Sequence, residues 1–458
     1  MANLRIDNKA LGVKRFKELS NRIVYDKKGN RILVIKGRLH KNAGCRCPKC
    51  RKKLSIYDTP TRNRRWRTLD AFDMPTYVVM DVHRVLCPEH GIVTEDIPFA
   101  LPGSGFTLPF ELQTAWLARR ADRTTVSVLM RISWNTVGSI IKRVKDFMEP
   151  DERARFNGLR HIGVDETAYK KGHKYITVVV NLDTNTVIWV GVNHGKEVLS
   201  RFFELLTPEQ RASIETISGD GARWIDACCE KYIPHAVRGI DPFHCVEWAQ
   251  DCLDSVRRKE WQEANQELKK AKKEQDKREP GRPRKGDEDP LKEQKNALRE
   301  IKNSRYALSK NPENLTENQQ ARLDIIMSTN SRLTRAYQLK EQLRLIFKLD
   351  NVDEARMYLH KWMSWAQRCR IKEFVELRRK IKRHEEAILS TIERGLSSSK
   401  VEALNNKIKV IIKRSYGFRN IENLKAMVLL CCSDIKIPLP NRNYPHAKGQ
   451  KAFIKQMI

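Results

Sequence analysis

The chain has 458 residues, 40% of them hydrophobic, which is enough for two to four domains with real cores and excludes a wholly disordered protein. Lys and Arg total 88 against 56 acidic residues, a formal charge of +32 that attracts polyanions: DNA or RNA first, an anionic membrane surface second. No run approaches the roughly 18 apolar residues of a membrane span, the opening MANLRIDNKALGVKRF lacks the apolar block of a secretory signal, and 11 cysteines over this length make no disulfide framework. A soluble cytoplasmic protein is the expectation.

The first forty residues are basic and mixed, with RILVIKGRL (31–39) readable as a strand. A cysteine cluster follows. CPKC supplies Cys47 and Cys50, and CPEHG supplies Cys87 and His90 at the end of a predicted strand, 76–87. Two knuckles at this spacing can close a tetrahedral zinc site, with Cys45 as a spare thiol. Closed by four ligands, such a site is structural, and it is expected to hold together a region with little apolar core of its own. Pro102, Gly103, Gly105 and Pro109 mark 101–109 as a linker.

Residues 124–147 read as two short helices across a turn at Ile132-Ser133. Val126, Leu129 and Met130 are expected to bury one side of the first helix. Val137, Ile140, Ile141 and Val144 fall at i, i+3, i+4, i+7 on the second. Asn135, Thr136, Ser139, Lys142 and Arg143 are left on the open face, as in a helix-turn-helix that enters a DNA major groove.

Residues 160–241 contain five short β-branched segments, HIGVDE, YITVVVNL, TVIWVGV, IETISGD and HAVRGID. Asp183-Thr184-Asn185 makes the second and third a hairpin, and helical stretches at 196–206 and 221–232 complete a mixed α/β sheet. Asp165 and Asp220 each end a strand. If the first three strands form a meander and the fourth lies beside the first, these two acids become neighbours that need a divalent cation between them, and magnesium suits such oxygen ligands. Glu166 follows Asp165, and strand alternation is expected to turn it to the other side. Asp241 also ends a strand and competes with Asp220.

Beyond 243 the strand signal stops. Residues to about 395 read as helices, with Trp248, Leu253, Val256, Trp261 and Leu268 at helical spacing and a Pro/Gly-rich loop at 279–290. Within that loop GRPRKG (281–286) reads as a flexible basic linker in preference to a minor-groove hook. A last helix carries Glu402, Asn405 or Asn406, Lys409 and Lys413 on one face. An acid facing metal while lysines track a phosphate backbone is the functional reading of that face.

Taken in order, CPKC and CPEHG, ISWNTVGSII, GVDETA, SGD, IDPFHCVEWA and VEALNNKIKVIIKRSYGFRN resemble the ISL-three family of bacterial insertion-sequence transposases, over most of the chain. The last block is the most specific. The resemblance implies a ribonuclease-H-like α/β catalytic core with an Asp-Asp-Glu triad: Asp165 in GVDET, Asp220 in SGD and Glu402 in KVEALNNK. SGDGARWI is a loose match, which keeps Asp241 open as the second Asp.

The implied organisation is an N-terminal region 1–100 with a zinc module at about 40–100 and a helix-turn-helix domain at 101–150. A catalytic domain from 158–245 and 396–435 follows, interrupted by an all-helical insertion at 246–395, with a tail at 436–458. The implied chemistry is two-metal phosphoryl transfer on magnesium or manganese, cutting an element's end and joining it to target DNA. Lys407, Lys409, Lys413, Arg414 and Arg419 would hold phosphates. Zinc module and helix-turn-helix would recognise the terminal inverted repeats of double-stranded DNA in a dimer or larger assembly, at the nucleoid of a bacterial cell. The competing readings are a DNA-binding regulator or a domesticated descendant that keeps the fold without strand transfer.

Overall fold

The computed structural model describes residues 13–240, 242–278, 289, 291–393 and 399–439. GRPRKG, Asp241 and the tail from 440 lie outside the described residues. The described chain divides into two compact units. One takes residues up to 155, 168–174 and the chain from 407; the other takes 156–167 and 175–406.

The first unit opens with a sheet of β1 (Phe16–Tyr25), β2 (Arg31–Leu39), β3 (Ile56–Ala71), β4 (Met74–Cys87) and β5 (Gly91–Thr94), in the order β1-β2-β4-β3 with β5 beside β4. The predicted strands at 31–39 and 76–87 are β2 and β4. β1 and β3 escape a pattern reading because β3 is mostly polar along its first half and slips register repeatedly against β4, which breaks its alternation. Phe16, Leu33, Ile35, Trp66, Val78, Met80, Val82 and Phe99 form a buried cluster on one face. Phe99 meets Phe16 and Trp66 edge-on, with ring centroids 5.8 and 5.3 Å away. The expectation of a region with little core of its own is therefore corrected: the sheet has an aromatic core, and the metal knuckles sit outside it.

Three helices follow: α1 (Leu108–Ala118), α2 (Arg123–Met130) and α3 (Trp134–Met148). The turn falls where the sequence places it. Arg131 adopts a left-handed φ of 53° to end α2, and Ser133 caps α3 by accepting from the Thr136 N–H at 3.1 Å. Val137, Ile140, Ile141 and Val144 are all buried, as expected. On α2 only Val126 and Met130 are buried with Arg123, and Leu129 is 59% exposed. Each residue turns the helix by about 100°, so Leu129 falls off the narrow face that an eight-residue helix buries.

The second sheet contains β6 (His161–Lys170), β7 (Lys174–Asn181), β8 (Thr186–Val192), β9 (Thr216–Gly219) and β10 (Val237–Ile240), with α4 (Lys196–Leu205), α5 (Pro208–Ala212) and α6 (Arg223–Tyr232) in the connections. Its order is β10-β9-β6-β7-β8. The first three strands are consecutive neighbours, β9 lies parallel beside β6, and β10 extends the sheet in parallel. This is the arrangement expected from the sequence. Asn185, at a φ of 54°, turns β7 into antiparallel β8. Ile162, Val164, Val179, Ile188, Leu199, Phe202, Phe203, Ile217 and Ile225 bury α4 and α6 against the sheet.

Helices then follow without a strand among the described residues: α7 (Pro242–Arg278), α8 (Lys292–Asn303), α9 (Arg305–Ser309), α10 (Glu317–Thr329), α11 (Ser331–Ile346), α12 (Val352–Arg368), α13 (Lys372–Arg383) and α14 (Glu385–Glu393). They share one core, with Leu253 and Val256 of α7 against Leu339, Leu343, Leu359, Trp362 and Phe374. Two final helices are α15 (Ser399–Arg414) and α16 (Ile421–Cys432). Val401, Leu404, Ile408 and Ile411 make the buried stripe of α15. Within the first unit α16 packs against α3 so closely that a Cβ on Gly138 would come 2.8 Å from the Asn423 amide. Among the described residues no helix is long and apolar enough to cross a membrane.

Candidate active site, zinc centre and DNA-facing helix

The zinc candidates meet. Cys47, Cys50, Cys87 and His90 bring one ligand atom each to within 4.8 Å of one another. Cys47 Sγ stands 3.6 Å from His90 Nδ1, Cys50 Sγ 3.6 Å from Cys87 Sγ, and Cys87 Sγ 3.5 Å from His90 Nδ1. Ligands about 2.3 Å from one tetrahedral ion stand roughly 3.8 Å apart, so the set fits zinc with Nδ1 as the imidazole donor. The knuckle is held by the Cys47 N–H donating to Lys52 O at 3.0 Å and the Arg51 N–H donating to Cys47 O at 3.0 Å. Cys45 is not a member of this cluster. Its backbone, at a φ of 57°, turns to let its N–H donate to Glu95 Oε2 at 2.8 Å.

On α3, Asn135, Ser139 and Lys142 are exposed and Thr136 is half-buried, its hydroxyl 2.7 Å from that of Ser133. Lys142 reaches an exposed carboxylate, Asp146, at 3.5 Å. Arg143 differs. Its Nε donates to Glu111 Oε1 at 2.7 Å, Glu111 is fully buried, and burial pushes that carboxyl up while Arg143 and the Ser104 hydroxyl pull it down. Arg143 thus leaves the open face to which the sequence reading assigned it, because a buried acid on α1 claims its guanidinium.

Asp165 lies within β6, and Asp220 directly follows β9, its parallel neighbour. His161 pairs with Thr216, Ile162 with Ile217 and Gly163 with Ser218, so two residues further on Asp165 and Asp220 occupy the same level of the sheet. Gly219 matters through space more than through its exit angle: a Cβ there would stand 3.0 Å from Val164 O. The Asp220 turn is fastened by its own Oδ1, which accepts from the Ala222 N–H at 3.1 Å, and by Arg238, which donates to Asp220 O and to Asp226 Oδ1 at 3.0 Å.

Glu402 lies in the first turn of α15, exposed to solvent. That turn is brought to β6 by packing and by hydrogen bonds. Val401 Cγ2 would stand 2.7 Å from a Cβ on Gly163, Asn405 donates to Asp165 Oδ2, and Thr167 Oγ1 donates to Asn405 Oδ1 at 3.1 Å. Asn405, rather than Asn406, faces the strand; Asn406 is exposed. Among the described residues only the zinc set gathers three or more ligand atoms within 4.8 Å; Asp165, Asp220 and Glu402 do not form such a cluster.

As strand alternation predicts, Glu166 turns away from the face where Asp165 and Thr167 meet Asn405 and points to His194, just before α4. Its Oε1 is 3.7 Å from His194 Nδ1, and burial, with Asp220 and Asp165 adding to it, holds the carboxyl above its ordinary range against the pull of His194. Beyond α15's first turns, Lys407, Lys409, Lys413 and Arg419 are exposed. Arg414 is half-buried and directs Nη2 to Ala118 O at 3.4 Å, which ties it to α1. Sequence reasoning missed Arg238 and Glu111, since neither carries a local signal: each is defined by a partner on another element.

Three family models match in chain order. The zinc-finger of transposase IS204/IS1001/IS1096/IS1165 matches residues 43–90, the helix-turn-helix domain of transposase family ISL3 matches 95–144, and a transposase model of the same family matches 162–428. The chain is 38% identical over 402 residues to the transposase for insertion sequence element IS1557 of Mycobacterium tuberculosis, covering 87% of this chain and 88% of that protein. It is 28% identical over 309 residues to the transposase for insertion sequence element IS1001 of Bordetella parapertussis, covering 67% and 68%. With a metal-ready zinc ribbon, a helix-turn-helix and a carboxylate-bearing sheet in the order these models require, the chain belongs to the ISL3 family of insertion-sequence transposases.

Proposed function

We propose that this transposase cuts and joins DNA with Asp165, Asp220 and Glu402 as its catalytic carboxylates, on a ribonuclease-H-like core formed by β6–β10 and α15. The carrying observation is the parallel register of β6 and β9, which brings Asp165 and, just past β9, Asp220 to neighbouring positions, with the Glu402 helix fastened to β6 through Asn405. The strand order, three consecutive strands and then two parallel additions beside the first, supports the fold reading.

An all-carboxylate donor set suits a hard divalent cation, magnesium or manganese, which supplies electrophilic charge for phosphodiester cleavage and strand transfer when bound. The chain's own residues do the positioning. Asn405 keeps Asp165 oriented by donating to Oδ2, leaving the Glu166 N–H to hold Oδ1 at 2.6 Å. Arg238 fixes the backbone of Asp220. Both acids are thereby held on the sheet, Asp165 within β6 and Asp220 just past β9, where small errors of placement cost rate. Asp241 lies outside the described residues and keeps its place as the competitor of Asp220.

The recognition reading assigns the terminal inverted repeats to the zinc module and to Asn135, Thr136, Ser139 and Lys142 of α3. Lys407, Lys409 and Lys413 from the far turns of α15, and Arg419 from the segment between α15 and α16, follow a DNA backbone. Two ends cut together call for a dimer or larger assembly, with the helical insertion as the contact, acting at the bacterial nucleoid.

The test is cleavage of DNA carrying the element's ends, with magnesium, by the parent and by D165N, D220N and E402Q. Binding without cleavage is expected from all three variants. Parent-like cleavage by any one of them removes that residue from the triad, and D241N is the control that decides between the two Asp candidates. Pre-cleaved ends supplied with target DNA should yield joined products.

A further inference from the structure

Beside the Asp220 turn the helical insertion contributes a group that the triad does not use. Trp248 of α7 lays the edge of its indole where a Cβ on Gly221 would be, 2.5 Å from it, so Gly221 is the residue that lets the ring approach the residue after Asp220. Lys380 of α13 places its Nζ 3.3 Å from the centre of that ring. Among the described residues no carboxylate stands within 4.0 Å of this ammonium, and the ring face is what holds it. His384, one helical turn further along, is 5% exposed, and among the described residues its Nε2 has no hydrogen-bond partner; it stands 3.5 Å from the same Cβ position on Gly221.

This arrangement is costly unless something uses it. A half-buried ammonium normally finds an acid, because burial without pairing penalises the charge. Here burial does hold Lys380 below the ordinary lysine range, while Asp220 and Cys245 act in the opposite direction. The cation therefore sits within electrostatic reach of a candidate catalytic acid without being neutralised by it. A fixed positive charge beside a carboxylate pair that handles phosphodiesters matches one ligand class: a backbone phosphate of the bound strand. The unspent Nε2 of His384 offers a second polar group at the same turn.

We propose that Lys380, seated on Trp248, binds the DNA backbone phosphate next to the scissile bond and so positions the strand over Asp165 and Asp220. The proposal rests on the triad reading given above. It makes the helical insertion part of the active site as well as a scaffold for assembly. Trp248 acts as the platform: it fixes where the ammonium stands and keeps it from folding back to Asp220.

The experiment is single-turnover cleavage of end DNA by the full chain, with magnesium, comparing the parent with K380Q and K380R. Each is assayed on a series of substrates bearing one neutral methylphosphonate at successive positions around the cut. K380Q should cleave about 10- to 100-fold more slowly, the range for losing a charge-assisted hydrogen bond, and K380R should recover part of that loss. One methylphosphonate beside the scissile bond should slow the parent by a similar factor and leave K380Q unchanged, since the contact is already gone. A merely structural lysine would give losses that multiply at every position, and that result overturns the proposal, as does parent-like cleavage by K380Q. Thermal unfolding of K380Q matching the parent keeps misfolding out of the comparison. The triad reading fails separately: it falls if D165N and E402Q cleave normally, whatever K380Q does.

Discussion

The side-chain amide of Asn405 is bound to the carboxylate of Asp165 across 240 residues of sequence, and its own oxygen accepts from Thr167 at 3.1 Å. Asn405 is 6% exposed, so both groups it serves would lose a partner that water cannot easily replace. Asn405→Ala is expected to destabilise the chain by about 1–3 kcal/mol and to slow cleavage further by freeing Asp165 and loosening the Glu402 turn. Urea unfolding and single-turnover cleavage measured together separate the two effects. Unchanged cleavage in a folded Ala variant would remove Asn405 from the positioning role.

Zinc removal has a local consequence. Because the N-terminal sheet owns the cluster around Phe16, Trp66 and Phe99, chelation should expose the 43–54 knuckle and the Cys87–His90 turn to protease while β2 and β4 stay protected. Cys87→Ser should reproduce that pattern and lower bound zinc from one ion per chain toward none. Limited proteolysis with metal analysis reads both. Collapse of the whole region on chelation would mean that the metal, not the aromatic core, holds the sheet.

Two neighbours on α3 should behave oppositely. Lys142→Ala removes an exposed charge and is expected to weaken DNA binding across sequences, reducing the salt slope by about one unit with little loss of stability. Arg143→Ala leaves fully buried Glu111 without its cation, which costs about 3–5 kcal/mol. Denaturant unfolding should register Arg143 strongly and Lys142 hardly at all. Equal stability of the two variants would contradict the buried pair.

Glu166 carries a pH signature. Its folded carboxyl is held above the ordinary range by burial and by Asp220 and Asp165, so the ionised form weakens the fold. Whatever stability the neutral form contributes is present below the unfolded pKa and is lost as pH rises through the folded value. Glu166→Gln should therefore gain stability over the parent as pH rises from 5 to 8 in metal-free buffer. A difference that shrinks with rising pH would reverse the sign and exclude that cause.

The sequence by itself determined the elements whose pattern is local. The five β segments, the helix-turn-helix with its turn at Ile132-Ser133, and the metal knuckles all depend on spacing within a few residues, and the structure has them where the spacing predicts. Asp220 was legible as a strand end, directly after β9, whereas Asp165, expected to end its strand, lies in the middle of β6, which runs on to Lys170. β1 and β3 were not legible, because a bulged, largely polar strand has no clean alternation to read.

Tertiary structure alone decided which groups are spoken for. Arg143 looks free on a helical wheel until fully buried Glu111 claims it from α1, and Leu129 looks buried until α2 shows how narrow its covered face is. Asn405 meeting Asp165, and Trp248 meeting the turn after Asp220, join residues far apart in the chain. Periodicity reports which side of an element is apolar. It carries no information about which other element supplies the partner, and hydrogen bonds, ion pairs and phosphate sites are made between elements.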